Sequence, residues 1–355
     1  MKSVEIAVLE GDGIGPDIVQ ATMRVLEKAC AKQGVRTDFS MLPSGLSALE
    51  SHGSTLPQET LDKLPDYSGW ILGPVTHHTY PINDKRFINP SGYLRKNYEL
   101  FANIRPSRAF PGVKTKFPEV DLVVVRENTE GMYADRNVLD GNGEFRPTED
   151  TVVSVRVVTR KASLRVARQA FELARSRRGK VTAVHKANVL RRGCGLFLEC
   201  CKEVAKEYPD IELNDFHVDA FAMMLVMYPE RFDVIVTTNL FGDVLSDEAA
   251  GLVGGLGLAP GLNAGIEHAM GQATHGSAPD IAELHIANPV AEILSGKLLL
   301  DWLAAHLSMP ELFEAAKDVE RGVAETLKNG KGLTPDLGGT AHTDEMTDVI
   351  LSEMG

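Results

Sequence analysis

The chain has 355 residues, with 37 Lys and Arg against 49 Asp and Glu, a formal net charge of −12, and 43% hydrophobic residues. That length holds a substantial core and suggests about two domains. The acidic balance argues against a general nucleic-acid binder, which needs clustered cations, and the glycine-dense stretch 251–266, broken by Pro260, is a poor membrane span.

Residues 4–9 read as a first strand, followed by the glycine turn Gly11-Asp12-Gly13-Ile14-Gly15. Pro16 suits a first helical position, Ile18, Thr22, Val25, Leu26 and Ala29 mark one helix face, and Gly34 is the stop. Residues 122–125 form a short buried-strand run. The turn Asp140-Gly141-Asn142-Gly143 and the alternating stretch 151–159 predict a strand pair with one protected face. Ser163 is placed as the N-cap of a helix over 164–178, with Gly179 as its stop. Residues 181–184 and 234–237 are further strands, so apolar runs alternate with helical segments in the α/β manner. Cys30, Cys194, Cys200 and Cys201 form no CxxC pair and no zinc spacing. With a start lacking a signal-peptide core, this points to free thiols in a reducing cytoplasm.

The residues suited to chemistry follow the strands. After Thr237-Thr238 the chain reads Asn239-Leu240-Phe241-Gly242-Asp243-Val244-Leu245-Ser246-Asp247. A helix beginning near Phe241 puts Asp243 and Asp247 on one face, where a hard cation such as Mg²⁺ or Mn²⁺ would relieve their repulsion. Two solvated carboxylates favoured by the helix dipole are the competing reading. Arg95, Arg105 and Arg126 offer planar forks that match carboxylates, and Arg126 stands at a strand's carboxyl end, where open α/β folds bind ligands. Tyr133 and Lys186 are candidate proton carriers, and His185 reads as a structural histidine. The glycine turn fails the dinucleotide fingerprint, because Pro16 stands where glycine is required and Asp38 lies too far on for the ribose carboxylate.

These residues resemble the isocitrate/isopropylmalate dehydrogenase family, the β-decarboxylating dehydrogenases. The similarity runs from Gly11-Asp12-Gly13-Ile14-Gly15-Pro16 to Leu337-Gly338-Gly339-Thr340. Its most specific pieces are Val184-His185-Lys186-Ala187-Asn188-Val189, the Asn239 to Asp247 segment and His275-Gly276-Ser277-Ala278-Pro279-Asp280. The resemblance implies a two-domain α/β fold distinct from the conventional dinucleotide (Rossmann) fold. A cofactor-binding domain would span 1–100 and 254–355, and a domain with the dimer interface 101–253. It implies a homodimer with shared active sites, in which 151–159 forms an interlocking arm. Arg95, Arg105 and Arg126 would bind the carboxylates of a malate derivative, with Asn188 and the arm readers Asn89 and Ser91. Asp243 and Asp247, with Asp219 of the other subunit, would bind Mg²⁺ or Mn²⁺. Tyr133 would protonate the enol, and Lys186, also from the partner chain, would assist deprotonation of the 2-hydroxyl. Val75, Thr76, the His275–Asp280 loop and Asn288 would hold the cofactor, with Asp280 specifying NAD over NADP.

Two departures stand out. Gln272 replaces the family's usual Glu, and Ile88-Asn89-Pro90-Ser91-Gly92-Tyr93-Leu94 fits no one family member. Ser91 and Asn89 as donors to a polar arm favour isocitrate, with 3-isopropylmalate as runner-up and homoisocitrate, tartrate and D-malate behind. A non-catalytic subunit of the same fold is disfavoured because Tyr133, Lys186, Asp219, Asp243 and Asp247 are all present. A conventional hydroxyacid dehydrogenase, needing no metal and releasing no CO₂, is disfavoured by Pro16.

Overall fold

A computed structural model of the chain describes residues 2–81, 84–133 and 143–355. It divides into two compact units, Met1–Leu94 with Phe110–Thr115 and Gly254–Gly355, and Arg95–Ala109 with Lys116–Val253. Both chain ends therefore build the first unit. Its short insert is held by close packing: Gly112, at φ 92°, lies so near the Leu327 carbonyl that a Cβ would come within 2.1 Å of the oxygen.

The first unit contains β1 (Lys2–Leu9), α1 (Gly15–Lys32), β2 (Val35–Met41), α2 (Gly45–His52), α3 (Gln58–Lys63), β3 (Gly69–Leu72) and the start of α4 (Pro90–Asn97). In α1, Pro16 lies in the first turn, and Ile18, Thr22, Val25, Leu26 and Ala29 are all buried, as the apolar spacing predicts. β1 pairs in parallel with both β2 and β3, so its run Ile6-Ala7-Val8-Leu9 is buried on both faces.

The second unit continues with β4 (Ala102–Arg108), β5 (Asp121–Glu127), β6 (Glu144–Thr148), β7 (Thr151–Ser154), α5 (Arg160–Arg175), β8 (Lys180–His185), α6 (Gly193–Ala205), β9 (Glu212–His217), α7 (Val218–Met227), β10 (Val234–Thr237) and α8 (Asn239–Val253). Its sheet runs β4-β5-β10-β8-β9, antiparallel at β4–β5 and parallel elsewhere. Leu122, Val124, Val184 and Ile235 form one core with Phe221 and Leu225 of α7 and Leu245 and Ala249 of α8. The first unit is completed by β11 (Leu262–Ala264), β12 (Ala269–Gly271), α9 (Val290–His306), α10 (Pro310–Asn329) and α11 (Thr343–Glu353). Its sheet order is β2-β1-β3-β12-β11.

Three local expectations are corrected. β7 ends at Ser154, and every residue of β6 and β7 is exposed, so neither face is protected within the chain. The turn residues 140–142 predicted before this pair lie outside the described residues. Thr159, not Ser163, caps α5: its hydroxyl accepts from the Ala162 N–H at 3.2 Å, while Ser163 is buried in the first turn. All four cysteines are free and buried, and among the described residues no helix is long and apolar enough to cross a membrane.

Candidate active site

In the first unit the glycine turn serves as a clamp. Gly11 and Gly13 take φ of 72° and 58°, conformations that glycine allows without penalty. A Cβ on Gly13 would come within 2.0 Å of the Ser277 carbonyl oxygen, which accepts from the Ile14 N–H at 2.9 Å. The Asp12 carboxylate, buried between them, accepts from the backbone of Leu46 at 2.6 Å and of Thr76 at 2.8 Å, and from the Tyr80 hydroxyl at 2.9 Å. Thr76 and Ser277 share a hydroxyl hydrogen bond of 2.8 Å. Buried Val75 and Thr76 are thereby fixed against the 275–280 loop. Asp12 is the part of this clamp that sequence reasoning missed, although its place between two glycines was the available signal.

Beside that clamp lies a cavity of about 540 Å³ lined by Ile14, His275, Ala278, Ile281, Asn288 and Asp336, among others. Its volume suits a small-molecule ligand. Ile14, Ala278 and Ile281 give an apolar wall. Burial pushes the His275 imidazole down, towards the neutral form, and its Nε2 is buried without a hydrogen-bond partner. Gly276, Pro279 and Asp280 are exposed. Asn288 is committed in part: its Nδ2 donates to Asp336 at 2.9 Å and its Oδ1 accepts from the Val290 N–H at 3.0 Å.

The second unit brings Arg105, Arg126, Tyr133, Asp243 and Asp247 together. α8 begins at Asn239, earlier than expected, and keeps the two aspartates at i and i+4. Arg105 Nη1 donates to Asp243 at 3.2 Å, to the Ser246 hydroxyl at 2.7 Å and to Asp247 at 3.4 Å. Its Nε is buried without an acceptor. Burial, and then the neighbouring Arg126 charge, bring Arg105 down to about 10. Arg126, only 2% exposed, bonds Asp243 through Nη1 and stacks over the Tyr133 ring at 5.5 Å. The Tyr133 hydroxyl donates to the other oxygen of Asp243 at 3.0 Å. Burial alone would raise the Asp243 carboxyl, but Arg126, Arg105 and more weakly Arg95 outweigh it and hold it below its usual range. Asp247 is shifted the other way, by burial and by the Asp243 charge despite Arg105.

Lys186 follows β8 and pairs with Asp219 in the first turn of α7. That pairing holds the Asp219 carboxyl below its usual range. Asn188 is exposed in the turn after β8. His185 is structural, as expected: it is buried, bonds Asp215 at 3.1 Å and accepts the Ala187 N–H at 3.0 Å. The polar-arm argument is weakened. The Ser91 hydroxyl donates its one proton to Gln272 Oε1 at 2.8 Å, and Asn89 Oδ1 accepts the Gly92 N–H at 3.1 Å in the first turn of α4.

Comparison with known proteins shows the family. The isocitrate/isopropylmalate dehydrogenase family profile matches residues 5–350. A 3-isopropylmalate dehydrogenase of Archaeoglobus fulgidus is 44% identical over 349 residues, 98% of each chain. An isocitrate/homoisocitrate dehydrogenase of Thermus thermophilus is also 44% identical, over 350 residues and 98% of each chain. The crystal structure of isocitrate dehydrogenase from Methylococcus capsulatus superposes with a TM-score of 0.87 at 44% identity, covering 99% of both chains. The chain belongs to the isocitrate/isopropylmalate dehydrogenase family of decarboxylating dehydrogenases.

Proposed function

We propose that the protein oxidises and decarboxylates a 3-substituted malate with NAD and a divalent cation, and that 3-isopropylmalate is its first substrate. The observation that carries the reaction class is the buried pair Arg105 and Arg126 facing Asp243, with the Tyr133 hydroxyl on the same carboxylate.

The residues fit both absent groups. Asp243 and Asp247 both accept from one Arg105 nitrogen, and burial, with the Asp243 charge, raises Asp247, so the paired carboxylate oxygens suit a hard cation. Among the described residues no three His, Cys, Asp or Glu side chains converge to hold a metal. The family resemblance implies Asp219 of a second copy as a third ligand. The cavity with its apolar wall and the partnerless His275 Nε2 suits a planar heterocycle with a polar edge, and exposed Asp280 would accept from ribose hydroxyls and repel a 2′-phosphate. When bound, the cation would acidify the 2-hydroxyl and stabilise developing negative charge, and NAD would supply the hydride acceptor.

This chain's own groups do the rest. Arg105 and Arg126, with Arg95, bind and orient the carboxylates. Lys186, opposite Asp219, assists removal of the 2-hydroxyl proton. Loss of CO₂ leaves an enolate, which the Tyr133 hydroxyl protonates at carbon. Arg126, stacked on the ring, holds the tyrosine that makes this transfer.

Two observations support an apolar arm: the Archaeoglobus relative, and the commitment of the Ser91 hydroxyl proton, which had favoured a polar one. Isocitrate or homoisocitrate is the second reading, supported by the Thermus relative at the same 44% identity. A homodimer is proposed from the apolar residues that α7 and α8 expose, Met223, Val226, Met227 and Val244, together with Phe145 and Val152 on β6 and β7.

The test is NADH formation on 3-isopropylmalate, isocitrate, homoisocitrate, tartrate and D-malate. EDTA should abolish turnover, Mg²⁺ or Mn²⁺ should restore it, and NADP should give a kcat/KM at least about tenfold below NAD, the equivalent of ~1.4 kcal/mol. Full activity in metal-free protein would falsify the metal assignment. An isocitrate kcat/KM above that for 3-isopropylmalate would reverse the substrate order.

A further inference from the structure

Asn239 is fully buried at the start of α8, and both ends of its amide are used. Its Oδ1 accepts from Arg126 twice, from Nε at 3.0 Å and from Nη2 at 2.7 Å. Its Nδ2 donates to the backbone carbonyl of Glu130 at 2.9 Å. Reversing the amide would set N–H groups against the guanidinium and an oxygen against the carbonyl, so its orientation is fixed chemically. With one edge of Arg126 taken, Nη1 is the corner left for Asp243.

The surroundings hold this arrangement rigid. A Cβ on Gly242 would come within 2.6 Å of the Arg126 Cβ and Cγ, so α8 presses on the arginine stem. A Cβ on Gly131, at φ 93°, would lie 3.0 Å from the Asn239 Cβ, so the turn leading to Tyr133 packs directly on the asparagine. Gly131 is also bridged to Val157, donating to its carbonyl at 2.9 Å and accepting from its N–H at 3.0 Å. Two residues further on, Tyr133 reaches Asp243 with its hydroxyl and lies under the Arg126 guanidinium.

We propose that Asn239 is a positioning residue that sets the carboxylate-binding arginine and the proton-donating tyrosine from one side chain, through Arg126 and through the Glu130 carbonyl. The proposal rests on the functional reading above. It assigns Asn239 no contact with substrate, cation or cofactor. The two ends of its amide are separable by chemistry: the oxygen sets binding through Arg126, and the nitrogen sets protonation through the Tyr133 turn.

The experiment compares wild type, Asn239→Ala and Asn239→Asp by steady-state kinetics, and by calorimetry of substrate binding with Mg²⁺ and no nucleotide. Asn239→Ala removes all three hydrogen bonds. It should weaken calorimetric binding and raise substrate KM at least about tenfold, a loss of ~1.4 kcal/mol, and also lower kcat at least about tenfold. Asn239→Asp keeps an acceptor for Arg126 but sets a carboxylate oxygen against the Glu130 carbonyl. It should bind substrate within about threefold of wild type, ~0.7 kcal/mol, and still lose kcat at least about tenfold. A folded Asn239→Ala protein with binding and KM within about twofold of wild type overturns the proposal. Should that variant not fold, Asn239→Asp decides, and a wild-type kcat in it overturns the proposal. Loss of kcat in proportion to active-site titre, with unchanged binding in both variants, would mean a purely structural role and also overturns it. Failure of the functional reading looks different, because wild type itself would neither bind nor turn over any of the five hydroxy acids.

Discussion

A buried guanidinium needs anions around it, and Arg105 meets two carboxylates and a hydroxyl through one nitrogen while its Nε has no acceptor. That imbalance is what a substrate carboxylate would correct, and a lysine could not reproduce the fork. Glu292 shows the opposite solution. It is fully buried, only its Oε2 is bonded, to the Ala273 N–H at 2.7 Å, and burial pushes its carboxyl up to about 8. A folded-state value above the ordinary 4.5 means the folded protein holds this proton more tightly than the unfolded chain does. The associated stability is complete below about 4.5 and is lost as pH rises towards about 8. Glu292→Gln keeps an acceptor for Ala273 and has no proton to lose. Its Tm should exceed that of wild type at pH 8, and the advantage should vanish near pH 4.5. A difference in Tm that does not change between those pH values would refute the assignment.

Among the elements, α5 is fixed at its start by a chain of caps rather than by composition. Thr159 accepts from Ala162, and its own N–H and hydroxyl each donate to Glu130 at 2.8 Å. Burial, with Glu127 nearby, raises Glu130 to about 7 although the Thr159 bonds oppose the shift. Thr159→Ala should cost about 0.5–2 kcal/mol, the usual range for a lost N-cap, read as a lower Tm. Ser163→Ala, which removes no cap, should cost less. Equal losses would return the cap to Ser163. The same logic separates α8 from an ordinary acidic helix, because Asp243 is bonded by two buried arginines and half-exposed Asp247 still reaches Arg105.

On the scale of the whole molecule, Tyr133 and Lys186 have different partners. Tyr133 is bonded to Asp243, whereas Lys186 pairs with Asp219. Under the proposed dimer each site takes Tyr133 from one copy and Lys186 with Asp219 from the other. Tyr133→Phe and Lys186→Met should each be nearly inactive alone. Refolded together, they should regain activity, because a mixed dimer has one site with both residues intact. No recovery despite demonstrated mixed dimers would place both residues in one chain's site.

What the sequence determined by itself is local or periodic. The buried face of α1, the strand at 234–237, the i, i+4 aspartates and the unpaired cysteines all follow from spacing or residue type. The family was legible because its motifs are contiguous, and the match over residues 5–350 bears it out. Tertiary structure decided what individual polar groups do. Ser91 reads as a donor to substrate until Gln272, 181 positions away, takes its proton. Asp12 reads as part of a turn until Thr76 and Tyr80, 64 and 68 positions on, converge on its carboxylate. A hydrogen-bonding group has few bonds to give, and which partner takes them depends on distances in space that residue order along the chain does not contain.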